Sequence, residues 1–198
     1  MVPAADRADA LVAEGRRRYE AGDFAAAEPL ARRALELLPA GSDARGRAVA
    51  VQLAGECAFS MGRYPEARDL ADEAIALRTG APEADRAESL NLRGIVDLSL
   101  GDAAGGNERV AEALRLREAA LGPDDPDTIE SLNNAGVALA RLGRMDEAVA
   151  AHEEALRRCE RAFIAPHRQL AVSCNALAVK LDRDPATRGR AAALYDGR

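Results

Sequence analysis

The sequence predicts an all-α fold, a stack of antiparallel helix hairpins, and two observations carry this prediction. The first is a grid of small residues that recurs around turns near positions 22, 62, 101, 143 and 185, which lie 40, 39, 42 and 42 residues apart. An amphipathic helical pattern lies on each side of these turns. The second is the composition, since 48% of the 198 residues are hydrophobic but only 3% are aromatic. Such a chain favours thin contacts between neighbouring hairpins over one thick core.

The clearest copy of the grid lies in residues 131–156, where Gly136 precedes the turn at Gly143 by seven residues. Ala148 and Ala155 follow the turn by five and twelve residues. Small side chains at these places let two antiparallel helices approach closely, and Gly143 fits the left-handed residue that commonly ends a helix. The equivalent residues elsewhere are Gly15, Gly22, Ala27 and Ala34; Gly55, Gly62, Ala67 and Ala74; Gly94, Gly101 and Ala113; and Ala178 and Pro185.

These residues resemble the tetratricopeptide repeat, a helix-turn-helix unit. The spacing and the phrase LGPDDPDTIESLNNAG are similar to the longer repeats of kinesin light chains and of many bacterial multidomain proteins. The resemblance implies a right-handed α-solenoid in which residues 1–198 form one domain. Its repeats would cover approximately residues 5–41, 43–80, 82–122 and 124–164, with a partial fifth repeat at 166–195. The chain departs from the family where a large aromatic residue of the first helix is replaced by Leu11, Val51, Leu90, Leu132 and Cys174.

Capping and breaking residues predict where the helices begin and end. Ser42 or Asp43, and Asp125 or Asp127, are expected to cap helices, because a side-chain oxygen there can accept a hydrogen bond from a free backbone N–H. The first hairpin is expected to pair residues 5–21 with residues 24–38. In the third repeat, Gly105 and Gly106 each cost roughly 1 kcal/mol relative to alanine within a helix. We therefore expect that helix to start late, to fray, or to accept a very close neighbour.

The charge and the cysteines exclude several classes of function. A formal net charge of −6 argues against non-specific binding to nucleic acid or to an acidic membrane. No apolar run is long enough to span a bilayer, and the first residues lack the features of a signal peptide, so we expect a cytoplasmic location. Cys57, Cys159 and Cys174 are far apart and are interpreted as buried small hydrophobic residues.

The sequence predicts no enzyme and no cofactor or metal site. His152 and Cys159 are seven residues apart, which places them about 10 Å from each other along a helix and too far apart for a nucleophile and its base. The carboxylates suit helix ends or solvated faces rather than an acid/base pair at a cleft. No clustered ligands indicate a metal, and the glycines do not form a phosphate-binding loop.

The resemblance implies that the first helix of each repeat lines a concave groove, with the residue three before the motif glycine facing inward. Four of these five residues are side-chain amides, which carry a donor and an acceptor together and can bond the backbone of an extended peptide. We therefore predict partner binding by Gln52, Asn91, Asn133 and Asn175. The remaining position, in the first repeat, is Val12. The alternative is that the amides bond neighbouring helices.

Two further positions on the same helices describe the predicted groove. The first set is Arg16, Glu56, Ile95, Val137 and Val179, and the second, four residues on, is Glu20, Ser60, Ser99, Arg141 and Arg183. The groove would be charged at its first end, apolar in its middle and basic at its far end. Arg141 and Arg183 would then suit the acidic end of a ligand. The alternative is that both arginines pair with surface carboxylates such as Glu130, Asp182 or Asp184, at little gain in stability.

The sequence thus predicts a non-enzymatic module that binds a protein or peptide partner in a groove. Two alternatives stay open. One is a regulatory or sensor segment of a larger bacterial protein, such as a transcriptional regulator, a signalling ATPase or a caspase-like peptidase. The other is a scaffold that forms homo-oligomers through its last repeat, because no polar capping helix is recognisable after Tyr195.

Overall fold

The computed structural model describes residues 3–41 and 43–162, and within these residues the regular structure is entirely helical. The helices are α1 (Ala4–Glu20), α2 (Phe24–Leu37), α3 (Ala44–Ser60), α4 (Tyr64–Leu77), α5 (Glu83–Leu100), α6 (Ala103–Leu121), α7 (Pro126–Arg141) and α8 (Met145–Ala162). These bounds confirm the all-α class and the expected turns. The expected fifth repeat, at 166–195, lies outside the described residues.

The chain divides into two compact units, Met1–Asp102 and Ala103–Arg198. In unit 1, α3 packs against both α1 and α5, while α2 packs on α1 and α3 and α4 packs on α3 and α5. In unit 2, α7 packs against both α6 and α8. The single domain expected over residues 1–198 stays a prediction.

The grid of small residues lies at the contacts between paired helices. No surface is exposed at the grid alanines Ala27, Ala34, Ala67, Ala74, Ala113, Ala148 and Ala155. Gly15 shows why a larger residue does not fit, since an added Cβ would lie 2.8 Å from Cδ2 of Leu53 and 3.4 Å from the carbonyl oxygen of Ala27. The predicted role of the grid in close helix packing is confirmed.

The turns have the backbone conformation that the glycines predict. Gly143 has a φ of 77°, in the left-handed region that favours glycine, and the same holds at the three equivalent turns, for Gly22, Gly62 and Gly101. The aromatic residues beside the first two turns pack in pairs. The ring centroids of Tyr19 and Phe24 are 5.1 Å apart, and those of Phe59 and Tyr64 are 5.6 Å apart.

The caps form at Asp43 and Asp125, and one of the three outcomes expected at the glycine pair is excluded. The Asp43 carboxylate accepts a hydrogen bond from the Arg45 backbone N–H at 3.0 Å, and Asp125 accepts one from the N–H of Asp127 at 2.9 Å. Helix α6 begins at Ala103, directly after the turn, and does not start late. Gly106 is buried, so packing compensates the weak helix propensity of the glycine pair.

Across the helices that the structure describes, none combines the length and the apolar character needed to cross a membrane.

Candidate partner-binding face

Equivalent residues form one stripe on each of the helices α1, α3, α5 and α7. On each helix the stripe consists of the residues three before, one after and five after the motif glycine, which are four positions apart and so share one face. Its members are Val12, Arg16 and Glu20 on α1; Gln52, Glu56 and Ser60 on α3; Asn91, Ile95 and Ser99 on α5; and Asn133, Val137 and Arg141 on α7. These are the positions that the sequence predicts to face a partner.

The three described amides of the stripe are buried. The exposed fraction is 1% for Gln52, 5% for Asn91 and 3% for Asn133. Two of them bond a neighbouring helix, because Gln52 meets Ser89 of α5 and Asn133 meets His152 of α8. The expectation that these side chains face an open groove is therefore wrong for these three residues, whose predicted contact with a partner stays a prediction. Asn175 lies outside the described residues.

The Gln52 amide makes hydrogen bonds through both of its polar atoms. Its Nε2 donates to Oε1 of Glu56 at 2.9 Å. Its Oε1 accepts from the Ser89 hydroxyl at 3.0 Å and from Nη1 of Arg78 at 3.5 Å. Gln52 of α3 is thereby linked to α5 and to Arg78, the residue that follows α4.

Four charged side chains and Gln52 close into a ring, which we call the charge ring. Nη1 of Arg16 pairs with Glu56, and Nη2 of Arg16 lies 3.7 Å from Oε1 of Glu88. Nη2 of Arg78 lies 2.5 Å from the other oxygen of Glu88, and Arg78 returns to Glu56 through Gln52. The ring therefore joins α1, α3 and α5 to the residue that follows α4.

The surroundings of Glu56 raise the pKa of its carboxyl group. Burial raises the pKa of Glu56, and the negative charge of Glu88 raises it further, while Arg16 and the hydrogen bond from Gln52 oppose the rise. Glu56 is the most buried carboxylate of the ring, with 14% of its side chain exposed against 33% for Glu88.

In each unit a buried arginine joins one helix, or the residue that follows it, to the next helix. Nη1 of Arg78 donates to the carbonyl oxygen of Asp85 at 2.7 Å and to the Ser89 hydroxyl at 2.8 Å. In unit 2, Nη1 of Arg117 donates to the carbonyl oxygen of Asp127 at 2.7 Å and to the Ser131 hydroxyl at 2.8 Å. We call each arrangement an arginine clamp.

Sequence reasoning missed both clamps, although a signal exists. The phrase Asp-x-x-Glu-Ser occurs at residues 85–89 and again at 127–131, and an arginine precedes it at 78 and at 117. The glutamate of each phrase lies near the clamp arginine, as Glu130 lies 3.7 Å from Nη1 of Arg117.

On α7 the amide of the stripe, Asn133, is buried, but the two stripe residues that follow it are exposed to solvent. Oδ1 of Asn133 lies 3.2 Å from Nδ1 of His152. One turn further on, Val137 is 39% exposed, and Arg141 is exposed at the end of the helix. Within the described part of the chain, Arg141 forms no ion pair, whereas Glu130 is near Arg117. Arg183 lies outside the described residues.

The described cysteines confirm the interpretation as buried small residues. Cys57 and Cys159 are both buried, and burial raises the pKa of Cys57 to about 12, so that thiol stays protonated at neutral pH. Cys174 lies outside the described residues. In the described part of the chain, no group of three or more His, Cys, Asp or Glu residues is placed to hold a metal ion.

Comparison with protein families gives two matches of the same kind. Two family models, each described as tetratricopeptide repeat, match residues 12–82 and 85–161. Together they take in most of the chain. None of the curated proteins matches the chain in sequence.

Solved structures show the same repeat architecture. BtubC (BKLC) from P. vanneervenii matches with a TM-score of 0.73 at 20% identity, over 97% of this chain and 87% of that chain. A putative kinesin light chain with nearly identical TPR-like repeats, from Podosopora anserina, matches with a TM-score of 0.73 at 17% identity, over 100% of this chain and 94% of that one. YrrB, a TPR protein with an unusual peptide-binding site, matches with a TM-score of 0.54 at 19% identity, over 94% and 81% of the two chains. At these identities the likeness shows the fold alone.

Proposed function

Because the chain belongs to the tetratricopeptide repeat family, we propose that it is a non-enzymatic module that binds a protein or peptide partner along the stripe. The observation that carries the proposal is the stripe on α7, where exposed Val137 and Arg141 lie one turn apart on the same face. An exposed apolar residue beside an exposed cation that has no ion pair among the described residues offers two different contacts to one ligand.

The two units contribute differently to this proposed binding. In unit 1 the stripe residues Arg16, Gln52 and Glu56 already bond one another in the charge ring, so a partner would meet side chains whose charges are paired. In unit 2 the stripe keeps an exposed apolar side chain and an exposed guanidinium. We place the main contacts at Val137 and Arg141, with Asn133 as the floor of the α7 stripe, while Gln52 and Asn91 belong to the stripes of unit 1. Asn175 and Arg183, outside the described residues, are proposed as further contacts.

The chemistry of the α7 stripe selects the kind of partner segment that would bind. A guanidinium binds a carboxylate through a planar fork of N–H donors. Val137 lies four residues before Arg141 and would take an apolar side chain. The proposed ligand is therefore a segment with an apolar residue next to an acidic one. Self-association and a cytoplasmic location stay predictions of the sequence.

Charge reversal at Arg141 tests the proposal. Peptides selected from a random library on the purified chain provide the probe. The Arg141→Glu variant should bind them at least about tenfold more weakly, because the contact with a carboxylate turns into a repulsion. Affinity is measured by fluorescence polarisation, and circular dichroism checks that helicity is retained.

The matched control is Arg157→Glu, which reverses an exposed arginine on α8. Arg157 pairs at the surface with Glu154, so this change should leave both binding and folding almost unaltered. Equal losses in the two variants, or no loss in either, would contradict binding at the α7 stripe. An alanine at Asn133 is a poorer test, because it would disturb a buried contact with His152.

A further inference from the structure

The charge ring of unit 1 holds two carboxylates against one shared guanidinium. Arg16 pairs with Glu56 through Nη1 and lies 3.7 Å from Glu88 through Nη2. The three groups come from α1, α3 and α5, and α3 packs against both of the other helices. With both glutamates ionised, Arg16 and Arg78 balance them and the ring is neutral.

The two carboxylates are not equivalent. Glu88 has two guanidinium neighbours, Arg78 at 2.5 Å and Arg16 at 3.7 Å, and a third of its side chain is exposed. Glu56 is more buried and has its one ion pair, among the described residues, with Arg16. Since burial penalises an ionised carboxyl, the surroundings of Glu56 favour proton uptake at that residue.

The charged groups around Glu56 come from the elements that pack against α3. Arg16 is the charged group that faces it from α1, and Glu88 faces it from α5; Arg78, after α4, reaches it through Gln52. On α2, Glu28 is paired with Arg32 and Arg63. The neighbouring Cys57 is a protonated thiol, since burial raises its pKa to about 12.

We propose that the charge ring is a proton-sensitive latch. Arg16 pairs with Glu56 when that carboxyl is ionised and with Glu88 alone when it is protonated. Protonation therefore changes the ring from neutral to a charge of +1 without removing any of its side chains. Glu88 can accept Arg16 because its nearer oxygen is already 3.7 Å from Nη2.

The direction of the pH effect follows from the raised pKa of Glu56. The folded chain holds this proton more tightly than the unfolded chain. Its contribution to stability is thus fully present below the ordinary glutamate pKa and is lost as the pH rises through the raised value. Acidification also makes the stripe of unit 1 more positive, which would favour an acidic partner; this consequence rests on the proposed function, whereas proton uptake does not.

Carbon-13 NMR of the side-chain carboxyls, recorded during a pH titration of the full chain without any partner, tests the latch. Glu56 should titrate above the ordinary glutamate value of about 4.3. The Glu88→Gln variant should lower that midpoint because it removes a like charge. The Arg16→Gln variant should raise it because it removes the balancing cation.

The control is Glu73→Gln, since Glu73 of α4 pairs with Arg47 of α3 outside the ring and should leave the Glu56 midpoint unchanged. The exchange of partners is tested by the coupling between Arg16 and Glu88, measured with double-mutant cycles. This coupling should be stronger in a Glu56→Gln background than in the parent chain. A Glu56 midpoint at or below the ordinary value, or a coupling unchanged by Glu56→Gln, would overturn the proposal.

Discussion

An Arg78→Ala variant should lose about 3 kcal/mol of unfolding free energy, the lower end of the range for breaking a buried ion pair. The side chain of Arg78 is 5% exposed and donates to the Asp85 carbonyl, to Ser89 and to Glu88. Alanine leaves these acceptors without their donor, and unsatisfied buried acceptors are costly. The lower end of the range applies because Glu88 is partly exposed and keeps Arg16 nearby. Urea unfolding followed by circular dichroism measures the loss.

The chain offers a control of the same residue type eight positions away. Arg86 is exposed on α5, so Arg86→Ala should change the free energy of unfolding by less than about 0.5 kcal/mol. Arg117→Ala should reproduce the Arg78 effect in unit 2, since its guanidinium makes the equivalent two bonds. If Arg78→Ala and Arg86→Ala were equally mild, the clamp would not contribute to stability.

The hairpins could be predicted because their determinants are local. A glycine seven residues before a turn and alanines five and twelve after it specify a close helix pair within some twenty residues of sequence. Turn glycines and capping aspartates act over two or three residues. The start of α6 shows the limit of this reasoning. Local propensity leaves a late start open as one of three outcomes, but burial of Gly106 outweighs an intrinsic cost of roughly 1 kcal/mol and the helix begins at Ala103.

The candidate site could be predicted only in outline. Periodicity places Gln52, Glu56 and Ser60 on one face, but it does not say which residues lie opposite them. The partners of Gln52 on other elements are Arg78 and Ser89, which are 26 and 37 residues away in sequence. These contacts depend on how hairpins stack and on which rotamer each long side chain adopts. Periodicity therefore assigns Gln52 to a partner-binding face, whereas side chains of unit 1 itself bond this amide.

The exposure of Arg141 on α7 has a local physical reason. Arg141 is the last residue of its helix, directly before the turn, where few neighbours can cover a side chain. Its expected accessibility therefore needed no knowledge of packing. Asn133, in the middle of the same helix, lies against the ring of His152, and this contact follows from the absence of a side chain at Gly136.

Gly136→Ala should be destabilising in the parent chain and stabilising in a His152→Ala background. An added Cβ would lie 2.7 Å from both Cε1 and Nε2 of His152, so the buried ring must move. Overpacking of this kind costs about 1–3 kcal/mol, while the better helix propensity of alanine returns roughly 1 kcal/mol. Without the imidazole ring only the gain in propensity remains. Urea unfolding of the two single variants and the double variant gives the coupling.

The equivalent Gly55→Ala change provides a milder comparison. Its nearest contacts would be Cδ2 of Leu92 at 3.0 Å and Cβ of Leu70 at 3.3 Å, and the end of a leucine side chain yields more easily than a buried ring. A Gly136→Ala variant as stable as the parent, with His152 present, would show that the ring has room to move.

The displaced ring should also change the floor of the α7 stripe. Because His152 lies 3.2 Å from the Asn133 amide oxygen, moving the ring alters the position of that amide beneath Val137. The Asn133 side-chain amide resonances should therefore shift in Gly136→Ala, while those of Gln52, which lies in the other unit, should not. Selected peptides should bind the variant more weakly even under conditions where it is fully folded. Unchanged affinity together with a shifted amide would separate Asn133 from the proposed contact surface and leave binding to Val137 and Arg141 alone.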